Sequence, residues 1–147
     1  MVIKYDLSNA IEIIKEFEGC KLNKYLCPAG KPTVGWGHLI LDDERIVRLT
    51  QEEADALLLR DVTRIANAIQ PYVKYPYMNE NEFCALVSFA FNLGPQSLLT
   101  STLLKLYNKG EISRAAAEFL KWVFTGGKRL KGLERRRKAE QRLFLAP

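Results

Sequence analysis

Three residues with chemically useful side chains stand at a regular interval near the start of the chain. Glu18 is followed after eight residues by Cys27, and Cys27 after five more by Thr33. Hydrolysis of a glycosidic bond needs a protonated acid at the leaving oxygen. It also needs a second group on the opposite face of the sugar, acting as nucleophile or as base for water. A carboxyl, a thiol and a hydroxyl brought to one cleft mouth could supply those functions. Spacing permits that meeting without requiring it, because a lone Glu at a helix end is most often a solvated residue.

The elements around these residues set how they could meet. Ser8 to about Phe17 has helical apolar spacing through Ala10, Ile11, Ile13, Ile14 and Phe17, and Gly19 is its stop, so Glu18 falls at a helix end. Lys21 to Cys27 reads as extended, Pro28 to Pro32 as a turn, and Thr33 to Leu41 as extended again, giving a small antiparallel sheet. Gly35 and Gly37 inside that second run mark bends or a close backbone approach. Thr50 and Glu53 form a capping box that opens a helix to about Ile69, which Pro71 ends. Asn79 and Glu82 repeat the arrangement ahead of the stripe Phe83, Leu86, Val87, Ala90 and Phe91, with Gly94-Pro95 as the stop. Leu98 to Tyr107, Ile112 to about Phe124, and Leu133 to Phe144 read as further helices. No linker divides them, so the long helix is expected to join two lobes around a cleft.

Composition narrows the class. A chain of 147 residues, 48% hydrophobic and 27% charged, can bury a core without staples and is neither disordered nor fibrous. No apolar run approaches membrane-spanning length, and the charged N-terminal stretch does not read as a secretory signal, so the expectation is cytoplasmic synthesis without stable membrane insertion. Three cysteines (Cys20, Cys27, Cys84), no CxxC pair and one His argue against a disulfide framework and a structural zinc site. The net charge of +5 is concentrated between Lys128 and Arg142, where eight basic and two acidic residues give +6 and leave the remainder at −1. That stretch lacks interleaved aromatics for stacking bases, so nucleic acid is not the expected partner.

Taken together, Glu18 to Cys27, Thr33-Val34-Gly35-Trp36-Gly37-His38, Phe91-Asn92-Leu93-Gly94, Trp122, Gly126-Gly127 and the Gly132-Leu133 segment with Arg136-Arg137 resemble the phage-type lysozymes, the endolysins of glycoside hydrolase family 24. The resemblance runs from about Ser8 to Leu145. It implies an α+β, lysozyme-like fold over 1–147: a sheet lobe at about 15–50, a linking helix at about 50–70, and a helical lobe at about 71–147 that includes helix 8–17. It implies a muramidase that cleaves the β-1,4 bond between N-acetylmuramic acid and N-acetylglucosamine in peptidoglycan, with no cofactor and no metal. Glu18 is then the general acid, and Thr33 holds the attacking water or orients the second group.

Cys27 occupies a position where the family more often has Asp, and three roles stay open: thiol nucleophile, base for water, or small filler. Retention or inversion stays open with it. By the same resemblance Leu39, Phe91, Asn92, Ser101 and Glu118 contact substrate, His38 pairs with Asp61 as a structural ion pair, and either Arg136 or Arg137 pairs with Glu18 at the cleft rim. The expected setting is a monomer acting on the wall in the periplasm after a separate protein permeabilises the membrane. A lytic transglycosylase, a wall-binding protein without catalysis and a nucleic-acid binder are the alternatives.

Overall fold

A computed structural model describes residues 5–147; residues 1–4 of the expected domain lie outside the described residues. Helix α1, Ser8–Glu18, buries Ala10 and Ile14 and leaves the helical path at Gly19, whose φ of 71° suits a residue without a Cβ. Strands β1 (Lys21–Leu26), β2 (Pro32–Gly35) and β3 (His38–Leu39) form an antiparallel sheet in sequence order. Tyr25 faces Thr33 across β1–β2, and Val34 faces His38 across β2–β3. The expected single extended run from Thr33 to Leu41 is therefore folded in two, with its turn at Trp36-Gly37 and positive φ at Gly35 and Gly37.

Helix α2, Gln51–Ile69, crosses from the sheet to the helical part of the chain. Both expected capping boxes are formed, Thr50 with Glu53 at α2 and Asn79 with Glu82 at α3, Glu80–Leu93. Each such cap satisfies orphan N–H groups and contributes about 1 kcal/mol. Helix α3 is the centre of the core: Phe83, Ala85, Leu86, Val87, Phe89 and Ala90 are all fully buried. It packs against α1, α2 and α7, Lys131–Leu145.

Between α3 and α7 the chain is more broken than its apolar pattern suggests. The expected helix from Leu98 to Tyr107 is two, α4 (Pro95–Leu99) and α5 (Thr102–Asn108). Ser101 divides them: its hydroxyl donates to the Leu98 carbonyl at 2.6 Å and accepts from the Leu104 N–H at 3.1 Å. Helix α6 covers Ile112–Glu118 and tightens into a 3₁₀ turn at Phe119–Lys121. The chain then forms a two-stranded hairpin, β4 (Phe124–Thr125) with β5 (Lys128–Arg129), around Gly126-Gly127. Among the described residues no helix is long and apolar enough to cross a membrane.

Candidate active site

A cleft of about 820 Å³ opens where the sheet, α2 and α3 meet. Glu18 lines it together with His38, Leu39, Asp61, Phe91 and Asn92. Glu18 arrives from the last turn of α1, with about a quarter of its side chain (24%) exposed. Two contacts fix its carboxylate. Arg136 of α7 donates from Nη1 to Oε2 at 2.9 Å. On the other side lies Gly37 in the β2–β3 turn, so close that a Cβ there would stand 2.9 Å from Oε1. Of the two expectations for this glycine the bend is formed, and what approaches it closely is the Glu18 side chain, not another backbone.

The hairpin holds Cys27 and Thr33. The Cys27 N–H donates to the Lys31 carbonyl at 2.9 Å, closing the β1–β2 turn, and the Thr33 hydroxyl donates to the same carbonyl at 2.9 Å. The Cys27 thiol is held below its ordinary pKa chiefly by the Lys31 backbone N–H. Desolvation opposes this, while the Ala29 N–H, the Thr33 hydroxyl and the Lys31 charge act in the same direction. Thr33 is buried and Cys27 is half-buried, and neither lines the enclosed part of the cleft. Tyr25 links the two regions: burial first, then the charges of Glu18 and Cys27, raise its phenol.

His38 is clamped at both ring nitrogens. Nδ1 lies 2.7 Å from Asp61 Oδ2 on α2, and Nε2 lies 2.9 Å from Glu44 Oε1 in the loop after β3. Glu44 also accepts from the Leu41 N–H and from Arg60, so this corner ties sheet, loop and α2 together. The Leu41 N–H, followed by His38, holds the Glu44 carboxyl below the usual range.

Arg136 and Arg137 are separated by the turn of α7. Arg136 reaches Glu18, whereas Arg137, fully buried, points behind the cleft and donates to Asn92 and to Glu140 Oε1. Arg137 is therefore not a rim residue. Ser101 and Glu118 are not among the residues that line the enclosed part of the cleft. Ser101 is the buried cap of α5, and Glu118, largely buried at the end of α6, pairs with Lys121 at 2.5 Å.

Sequence reasoning missed Glu140 and Ser88. Glu140 is fully buried and accepts from the Ser88 hydroxyl at 2.6 Å, from Arg136 Nε at 3.3 Å and from Arg137. Burial pushes its carboxyl up, and the two guanidiniums oppose that push. A signal was available: Glu140 stands four residues after Arg136 and three after Arg137, on the same helical face.

A glutamate at a helix end, fixed by an arginine above a sheet and facing a long cleft, defines a lysozyme-type glycosidase. Comparison with known proteins agrees. Residues 15–140 match the family model described as phage lysozyme. An endolysin of Acyrthosiphon pisum secondary endosymbiont phage 1 is 41% identical, over 90% of this chain and 92% of its own length. An endolysin of Bacillus phage B103 is 40% identical over 92% of this chain, but this chain spans only 52% of that relative. Among solved structures, the muramidase domain of SpmX from Asticaccaulis excentricus superposes with a TM-score of 0.87 at 36% identity, covering 98% of this chain and 100% of that one. The chain belongs to the phage lysozyme family.

Proposed function

We propose that the protein is an endolysin that hydrolyses the β-1,4 bond between N-acetylmuramic acid and N-acetylglucosamine in peptidoglycan. The observation that carries this reading is Glu18, fixed between Arg136 and Gly37 at the wall of an 820 Å³ cleft. Glu18 is the general acid that protonates the leaving oxygen, and Leu39, Phe91 and Asn92 form the sugar-binding wall beside it. The likeness to a muramidase domain over 98% of the chain supports the same bond as target. His38, Asp61 and Glu44 act structurally, holding the sheet to α2. In this reading the substrate is the cell wall, reached after a separate protein has permeabilised the membrane.

The second group is where chemistry diverges. No carboxylate stands at the Cys27 position, so the separation rule for retaining and inverting enzymes has no pair to act on. The alternative is a lytic transglycosylase, in which one Glu suffices; Thr33 and the thiol at the Cys27 position speak against it. Mass spectrometry of fragments released from purified peptidoglycan separates the two. Reducing-end N-acetylmuramic acid identifies hydrolysis, 1,6-anhydro ends identify the transglycosylase, and no fragments at all overturn both. Glu18→Gln should abolish release, and a Glu18→Gln protein cleaving at the wild-type rate refutes Glu18 as the acid.

A further inference from the structure

Behind Glu18 lies a buried set of charged groups that the reaction as written does not use. Two guanidiniums, Arg136 and Arg137, are 3% and 0% exposed, and Glu140 between them is 0% exposed. One Glu140 oxygen, Oε2, accepts from Ser88 Oγ at 2.6 Å and from Arg136 Nε at 3.3 Å. The other, Oε1, accepts from Arg137 Nη1 at 2.5 Å. Each arginine then uses a different face to hold a residue of the cleft wall. Arg136 Nη1 donates to Glu18, and Arg137 Nη2 donates to Asn92 Oδ1. Arg136 is braced further by Nη2 bonds to the Ser88 carbonyl and hydroxyl, and Arg137 by the Phe89 ring 5.2 Å from its guanidinium carbon.

We infer that Glu140 is a positioning residue for glycosidic cleavage, orienting Glu18 through Arg136 and the substrate-facing Asn92 through Arg137. The inference rests on the proposed reading of the cleft. Two adjacent arginines on one helix would repel and would each have several rotamers; a single carboxylate, itself pinned by Ser88, fixes both. Arg136 bridges Glu140 to Glu18, so the base of the cleft and its acid belong to one hydrogen-bonded network. Because Glu140 touches neither substrate nor the reacting atoms, its effect must appear in two places. Loss of the Arg136 branch lowers kcat, and loss of the Arg137 branch raises KM.

The test is steady-state release of reducing ends from soluble peptidoglycan fragments, measured well below the melting temperature of each variant, with circular dichroism to show folding. Glu140→Gln should lower kcat roughly 10- to 100-fold, the scale of a displaced acid, and raise KM. Arg137→Met should raise KM with a smaller change in kcat. In an Arg136→Met background the kcat effect of Glu140→Gln should vanish. If Glu140→Gln does not fold, Ser88→Ala, which removes one neutral donor to Oε2, should still lower kcat several-fold. A folded variant with wild-type kcat and KM and only a lower Tm overturns the proposal. So does a kcat loss for Glu140→Gln that persists undiminished without Arg136. A wild-type protein that releases no reducing ends instead overturns the functional reading on which the proposal rests.

Discussion

Gly37→Ala is the most revealing single perturbation, because it separates backbone strain from a displaced acid. Gly37 has φ of +83°, where a residue with a Cβ costs roughly 1–2 kcal/mol. For a chain of this size that corresponds to a Tm fall of roughly 3–8 °C. The new Cβ would also stand 2.9 Å from Glu18 Oε1 and 3.6 Å from its carboxyl carbon. Ordinary contact requires the carboxylate to retreat by about half an ångström, against the pull of Arg136. If 1 Å of misplacement is worth about 100-fold, half that displacement should lower kcat about 10-fold. Gly126→Ala is the control. Its φ of +58° carries comparable strain, but no heavy atom lies within 4 Å of its built Cβ, on a hairpin remote in sequence from Glu18. Thermal melts and reducing-end release on the two variants should show similar losses of Tm and a kcat loss for Gly37→Ala alone. A Gly37→Ala protein with the Tm loss and wild-type kcat would falsify the view that this turn sets the Glu18 carboxylate.

The remaining predictions concern the hairpin and the His38 corner. Cys27 should react with iodoacetamide with a half-point below the free-thiol value of about 8.5, because the Lys31 N–H favours its thiolate; a half-point at or above that value refutes the assignment. Cys27→Ala should lower cleavage if the thiol takes part in the chemistry, with Cys27→Asp retaining more of it; full activity of Cys27→Ala reduces the residue to a filler. Glu44→Gln removes a carboxylate held below its unfolded-state pKa, so its stabilising contribution is present above the unfolded value and is lost as pH falls through the folded one. Melting curves should show the variant less stable near pH 7, with the gap to wild type closing below about pH 4; a gap independent of pH would show that the charge contributes nothing.

What could be read from the sequence were features fixed by local chemistry. Thr50 with Glu53 and Asn79 with Glu82 cap their helices by contacts three residues apart, so spacing alone reveals them. Gly94 before Pro95 likewise ends α3 with a φ of +91° that favours glycine. Features set by tertiary contact were harder. Thr33 to Leu41 reads as one strand because its turn depends on two glycines that also suit a bend, and only pairing of Val34 with His38 shows the fold-back. Thr100 and Ser101 look like mid-helix polar residues, yet Thr100 closes one helix and Ser101 caps the next. Arg136 and Arg137 are adjacent, and about 100° of helical turn sends one to the cleft and the other into the core. Which goes where is set by how α7 docks on α3, through Ser88 and Asn92, information that the arginines' own neighbours do not contain.

That docking also accounts for an expensive choice at the centre of the molecule. Buried ion pairs are often no more stabilising than apolar residues of the same volume, because desolvation offsets their attraction. The α3–α7 interface nevertheless buries Arg136, Arg137, Glu140 and Ser88, with the Arg137 guanidinium over the Phe89 ring. It also leaves Arg137 Nε without a hydrogen-bond partner, an added cost. Packing alone gives no reason for such a network. Under the proposed positioning role orientation does: an apolar helix face can hold α7 in place, but it cannot direct a guanidinium at Glu18 or at Asn92 in the cleft wall. The polar cluster converts the rigidity of the helical core into the geometry of one carboxylate 118 residues distant in sequence from its arginine. A core redesigned with Leu or Met at Arg137 and Glu140 should therefore melt at least as high as the natural protein and cleave more slowly, with stability and activity moving in opposite directions.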